Sequence, residues 1–91
     1  MGNEENSIIN SGVIVEHDCI IGQHVHISPG SVLSGGVTVG NETHIGTNST
    51  IIQEIKIGEK SLIGAGSTVI RNIGNNVACW GTPAKERRKN E

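Results

Sequence analysis

Aliphatic residues recur every six positions from Ile9 to Val69 without exception: Ile9, Val15, Ile21, Ile27, Leu33, Val39, Ile45, Ile51, Ile57, Ile63 and Val69. The fifth residue of each block (Val13, Cys19, Val25, Ser31, Val37, Thr43, Ser49, Ile55, Ser61, Ser67, Ile73) is nearly always small or β-branched. The second is glycine at Gly22, Gly40, Gly46, Gly58 and Gly64. A period of six matches neither a long helix nor an alternating strand. It fits short strands of β-branched residues separated by turns of Gly, Asn and Pro. Gly22, Gly40 and Gly58 stand 18 residues apart, so three blocks make one coil of a triangular prism. The chain is therefore predicted to be all-β, a single-stranded parallel β-helix of about 3.7 coils rising roughly 4.8 Å per coil. The aliphatic first residues pack inside, and the small fifth residues fit the inner corners.

The chain has 91 residues, enough for one domain, with one Trp and no Phe or Tyr. A lone core of this size is marginal, so oligomerisation or unusually regular packing is expected. Solenoids need capped ends. Residues 1–8 are the candidate N-terminal cap, 9–74 the β-helix, and 75–91 a C-terminal tail in which Trp80 covers the last coil. Lys85, Arg87, Arg88 and Lys89 make that tail basic, and it is expected to be solvated and frayed. A net charge of −2 and the scarcity of aromatics argue against nucleic acid. No apolar run is long enough to span a membrane. Cys19 and Cys79 fit no metal spacing or disulfide framework, which suits a reduced cytoplasm.

Three stretches carry a closer resemblance: Ile14-Val15-Glu16-His17-Asp18-Cys19-Ile20-Ile21-Gly22; His26-Ile27-Ser28-Pro29-Gly30 running into Gly35-Gly36-Val37; and Gly81-Thr82-Pro83-Ala84-Lys85. Over residues 8–85 the chain resembles the left-handed β-helix domain of the bacterial sugar O/N-acyltransferases. That family includes sialic acid O-acetyltransferases and UDP-amino-sugar N-acetyltransferases. The resemblance implies a left-handed coil, against the general right-handed rule for parallel crossovers. It implies acetyl-CoA as co-substrate and a sugar or nucleotide sugar as acceptor. Family members usually carry an N-terminal Rossmann-like domain for the nucleotide sugar; here the chain is expected to start at the β-helix without it.

Acyl transfer from a thioester needs a base, an oxyanion donor and positioning. His17, third in its block, sits at a turn and points outward as the candidate base. Asp18 can hold one ring nitrogen and fix the tautomer. Gly35 lies one coil above His17 in the same column, where its amide is a candidate oxyanion donor and its missing side chain permits close approach. The resemblance assigns the same roles to His17 and Asp18, supports the placement of Gly35, and implies contacts to acetyl-CoA at His26, Thr47 and Ala65. His26 follows His17 by nine residues, half a coil, so the two lie on opposite sides of one prism. They can serve one site only if prisms pack side by side, which predicts a homotrimer with His17, Asp18 and Gly35 facing His26, Thr47 and Ala65 of the next subunit. His44 stacks over His26, and His24 is a surface residue. Cys19, fifth in its block, turns inward and is inert. One alternative is a non-catalytic β-helix trimer or scaffold subunit. A γ-type carbonic anhydrase would need a His-x4-His pair, which His17, His24, His26 and His44 do not provide, so no metal site is predicted.

Overall fold

The computed structural model describes residues 2–3 and 6–90. Twelve two-residue strands follow one another among them: β1 (Gly2–Asn3), β2 (Ile8–Ile9), β3 (Ile14–Val15), β4 (Ile20–Ile21), β5 (His26–Ile27), β6 (Val32–Leu33), β7 (Thr38–Val39), β8 (His44–Ile45), β9 (Thr50–Ile51), β10 (Lys56–Ile57), β11 (Leu62–Ile63) and β12 (Thr68–Val69). Two longer strands close the chain, β13 (Val77–Gly81) and β14 (Ala84–Lys89). They build three sheets, ordered β1-β4-β7-β10, β2-β5-β8-β11-β13-β14 and β3-β6-β9-β12. We name these the first, second and third faces. Pairing is parallel except between β13 and β14. The architecture is the left-handed β-helix that the hexads and the resemblance imply, of about four turns.

The register explains the period. Ile8, His26, His44 and Leu62 pair in turn, each 18 residues after the last. Of each two-residue strand from β2 to β12, the first side chain faces outward and the second turns toward the core. Ile21, Ile27, Leu33, Ile45, Ile51, Ile63 and Val69 have no exposed surface. Full burial of such a side chain contributes roughly 1.5–3 kcal/mol, so each coil adds a layer to one continuous core. The turn is equally regular. The fourth residue of a block takes positive φ, as in Gly12, Asp18, His24, Gly30, Gly36, Glu42 and Asn48. This throws the third residue outward and returns the fifth to the interior.

The buried fifth-position hydroxyls do more than fit a corner. Ser31 Oγ donates to Gly46 O at 2.9 Å, Thr43 Oγ1 to Gly58 O at 2.6 Å and Ser49 Oγ to Gly64 O at 3.0 Å. Each clips one coil to the next and satisfies a group that is costly to bury alone. No buried side-chain nitrogen or oxygen among the described residues lacks a partner.

Three expectations are corrected. The frame of six slips after Val69: Ile73 bridges Ile57, 16 residues back, and so occupies a first-position column rather than a fifth-position corner. The Asn72 side chain substitutes for backbone at the slip, accepting from Lys56 N at 2.8 Å. Trp80 does not cover the last coil; it is 41% exposed, and Cys79 and Ala84 of the β13–β14 hairpin are buried instead. The basic tail is not frayed, because Ala84–Lys89 pairs antiparallel with Val77–Gly81. Gly81 N ties this hairpin to Ser67 Oγ at 3.1 Å.

Candidate active site

The turn between β3 and β4 carries His17 and Asp18. Cys19, fully buried, anchors its inner end by donating Sγ–H to Ser34 O at 3.2 Å. Asp18 is in the left-handed region at φ 62°, so both polar side chains stand out from the prism, His17 80% and Asp18 85% exposed. His17 Nδ1 lies 3.2 Å from Asp18 Oδ2. A carboxylate can only accept, so this contact assigns the proton to Nδ1 and leaves the Nε2 lone pair free.

Gly35 lies directly over the imidazole. A Cβ at Gly35 would sit 2.8 Å from His17 Cε1 and 3.2 Å from Nε2, so the ring occupies the space that a side chain would take. The two turns are joined by Gly36 N donating to His17 O at 3.0 Å, and Glu54 N donates to Gly35 O at 2.9 Å. Among the described residues no hydrogen bond engages the Gly35 N–H. His17, Asp18, Gly35, Gly36, Gln53 and Glu54 line a cleft of about 350 Å³. Gln53 and Glu54 were missed from sequence, although counting 18 residues on from Gly35 and Gly36 reaches them.

The second face, opposite this turn, carries His26. Its ring stacks on His44 with centroids 4.5 Å apart and planes 13° apart. Asn10 Nδ2 approaches His26 Nε2 at 2.9 Å, and Ser28 Oγ approaches His44 Nε2 at 3.2 Å. The His26 N–H is spent on Thr43 O at 3.0 Å. Thr47 and Ala65 follow at the turns from the second face to the third, both exposed and stacked through Gly66 N to Thr47 O at 2.7 Å. Within one chain, then, His17, Asp18 and Gly35 meet, while His26, Thr47 and Ala65 form a separate surface. His24 is an exposed turn residue. No group of three or more His, Cys, Asp or Glu among the described residues is arranged to hold a metal. A second cleft, of about 360 Å³, lies under the hairpin among Arg71, Asn72, Cys79, Lys85 and Glu86. Burial and the Glu86 carboxylate push its Cys79 thiol above the usual range, against a smaller opposing pull from Arg87, so it is a poor nucleophile.

Desolvation, and then the neighbouring His26, hold the pKa of His44 below its ordinary value. The unfolded chain therefore takes up this proton first as pH falls. The stability tied to neutral His44 is complete above the ordinary histidine value of about 6.5 and is lost as pH drops through the lower folded value. Urea midpoints measured between pH 7.5 and 5 are expected to fall less for His44→Gln than for the parent. Parallel losses in the two proteins would contradict this.

No helix is long and apolar enough to cross a membrane among the described residues. A comparison with curated proteins finds no significant match. Among solved structures, the chain is similar to PerB from Caulobacter crescentus in complex with CoA and GDP-perosamine, at 39% identity and TM-score 0.89, covering 90% of this chain and 40% of that one. It is similar to the acetyltransferase domain of PglB from Neisseria gonorrhoeae in complex with acetyl coenzyme A, at 37% identity and TM-score 0.88, covering 89% and 40%. It is also similar to WeeI from Acinetobacter baumannii, at 29% identity and TM-score 0.86, covering 89% and 41%. The chain thus spans about two fifths of the length of these neighbours. Residues 4–35 and 36–71 each match the bacterial transferase hexapeptide (six repeats) family, and with most of the chain so matched, the protein belongs to that family.

Proposed function

We propose that this chain supports acetyl-CoA-dependent acyl transfer to an amine or hydroxyl of a sugar or nucleotide sugar. The observation that carries this reading is the His17 imidazole, tethered to Asp18 at 3.2 Å, lying beneath the side-chain-free Gly35. The CoA, acetyl-CoA and GDP-perosamine bound by the neighbours PerB and PglB support the choice of substrates.

His17 Nε2 takes the proton of the acceptor N–H or O–H as that atom attacks the thioester carbonyl carbon. The Gly35 N–H meets the oxyanion of the tetrahedral intermediate. The C–S bond then breaks, and the departing CoA thiolate takes the proton back from His17. Asp18 keeps the ring in the reactive tautomer throughout. No acyl-enzyme is needed, and Cys19, fully buried with its thiol committed to Ser34, is in no position to form one. The acetyl-CoA surface is His26, Thr47 and Ala65 of the adjacent subunit in a threefold assembly, since one prism holds the two residue sets on opposite sides.

The test is to incubate the protein with acetyl-CoA and a panel of nucleotide sugars that includes GDP-perosamine, and to follow free CoA thiol. Thiol release that requires both substrates, with product mass increased by one acetyl group, is the expected result. Acetyl-CoA binding without release on any acceptor would instead favour a non-catalytic scaffold.

A further inference from the structure

We propose that Glu54 selects the acceptor at the His17 cleft, favouring a sugar that presents an ammonium group over one that presents a hydroxyl. This rests on the acyltransfer reading above. Glu54 stands two coils above Asp18 on the same turn column, with Gly36 between them. Gly36 has no side chain, and a Cβ there would lie 3.3 Å from Glu54 Cγ, so the Glu54 stem drapes over Gly36 toward the level of Gly35 and His17. Glu54 and Asp18 line the same cleft as the candidate base. Among the described residues no lysine or arginine forms an ion pair with Glu54 and none lines this cleft; Arg71 lines the cleft under the hairpin instead.

The wall that this chain contributes to the cleft carries two carboxylates and no lysine or arginine, so it repels the diphosphate of a nucleotide sugar. That end must lie outside, and the reacting end that enters is the one a carboxylate attracts. A primary amine on a sugar is largely protonated near neutral pH and meets that requirement; a hydroxyl gains nothing. The balance for such an acceptor is simple. The ammonium releases one proton to bulk water in the open cleft. The neutral amine forms the N–C bond while His17 takes a second proton, the C–S bond breaks, and that second proton passes to the CoA thiolate.

The test uses the full chain and two nucleotide sugars that differ at one position: GDP-perosamine, with an amine at C4, and GDP-rhamnose, with a hydroxyl there. Their affinities are measured calorimetrically without acetyl-CoA, so the result does not depend on turnover. The parent is expected to bind the amine more tightly. Glu54→Gln should weaken amine binding roughly fivefold, the scale of one exposed charge pair, and leave hydroxyl binding unchanged; added salt should erode the preference in the parent alone. Equal affinities, binding of neither sugar, or a preference that survives Glu54→Gln would each overturn the proposal. If acetyl-CoA and acceptor both bind as expected and no CoA is released, the acyltransfer reading fails while the selectivity stands.

Discussion

His17→Ala is expected to lower kcat/KM for acetyl transfer by roughly a hundredfold to ten-thousandfold, the usual contribution of a positioned general base. The effect should fall on kcat, because the exposed imidazole holds no coil in place: among the described residues its side-chain polar contact is with Asp18, itself a surface residue. The variant should keep the parent's circular dichroism and its affinity for acetyl-CoA, the latter because the proposed cofactor surface is built from His26, Thr47 and Ala65 of the adjacent subunit and not from His17. A variant that turns over within a factor of a few of the parent, measured by CoA release, would remove His17 from the chemistry.

Gly46→Val is expected to damage the fold severely. A Cβ at Gly46 would sit 2.6 Å from Ala65 N and 2.8 Å from both Gly64 C and Ile63 O, all backbone atoms of the next coil. Backbone held in a ladder cannot step aside as a flexible side chain can, so the coils must separate locally. They would also strain the clip from Ser31 Oγ to Gly46 O. The overpacking cost should reach about 3 kcal/mol or more, a large part of the 5–15 kcal/mol typical of a whole domain. Gly74→Ala is the control. No atom lies within 4 Å of a Cβ there, and its effect should stay within about 0.5 kcal/mol. Urea unfolding of the three proteins checks both; similar midpoints for Gly46→Val and Gly74→Ala would contradict the close-stacked coil.

Much of this was legible in the sequence because the fold is a repetition. Once Ile9 to Val69 fixes the phase, every inward and outward position follows, and a count of 18 places Gly35 over His17. The limits have physical causes. Periodicity reports which side chains avoid water, so it marked Ser31, Thr43 and Ser49 as small but was silent on their clips to the coil above. Ile73 continued the aliphatic pattern numerically, yet the Asn72 side chain replaces two residues of backbone and moves Ile73 into another column. Trp80 looked like a cap because it is the only large aromatic. The hairpin instead buries Cys79 and leaves the ring outside, with the Arg87 guanidinium 6.0 Å from its centroid. Gln53 and Glu54 escaped because they belong to no motif, and only their register, one coil above Gly35 and Gly36, brings them to the cleft. The assembly is the least legible part. A single prism can say that His17 and His26 face opposite ways, and only chemistry asks that they meet.

That last point is the centre of the account, and subunit mixing tests it. His17→Ala lacks the base but keeps the cofactor surface; Ala65→Trp obstructs that surface but keeps the base. Each variant alone should be nearly inactive. Unfolded together in equal amounts and refolded, they should regain about one quarter of parental activity, since in a statistical threefold ring half of the sites carry His17 and half of those face an unobstructed neighbour. Mixed preparations as inactive as the separate variants would show that each active site is built within one chain, and the proposed shared cleft would be wrong.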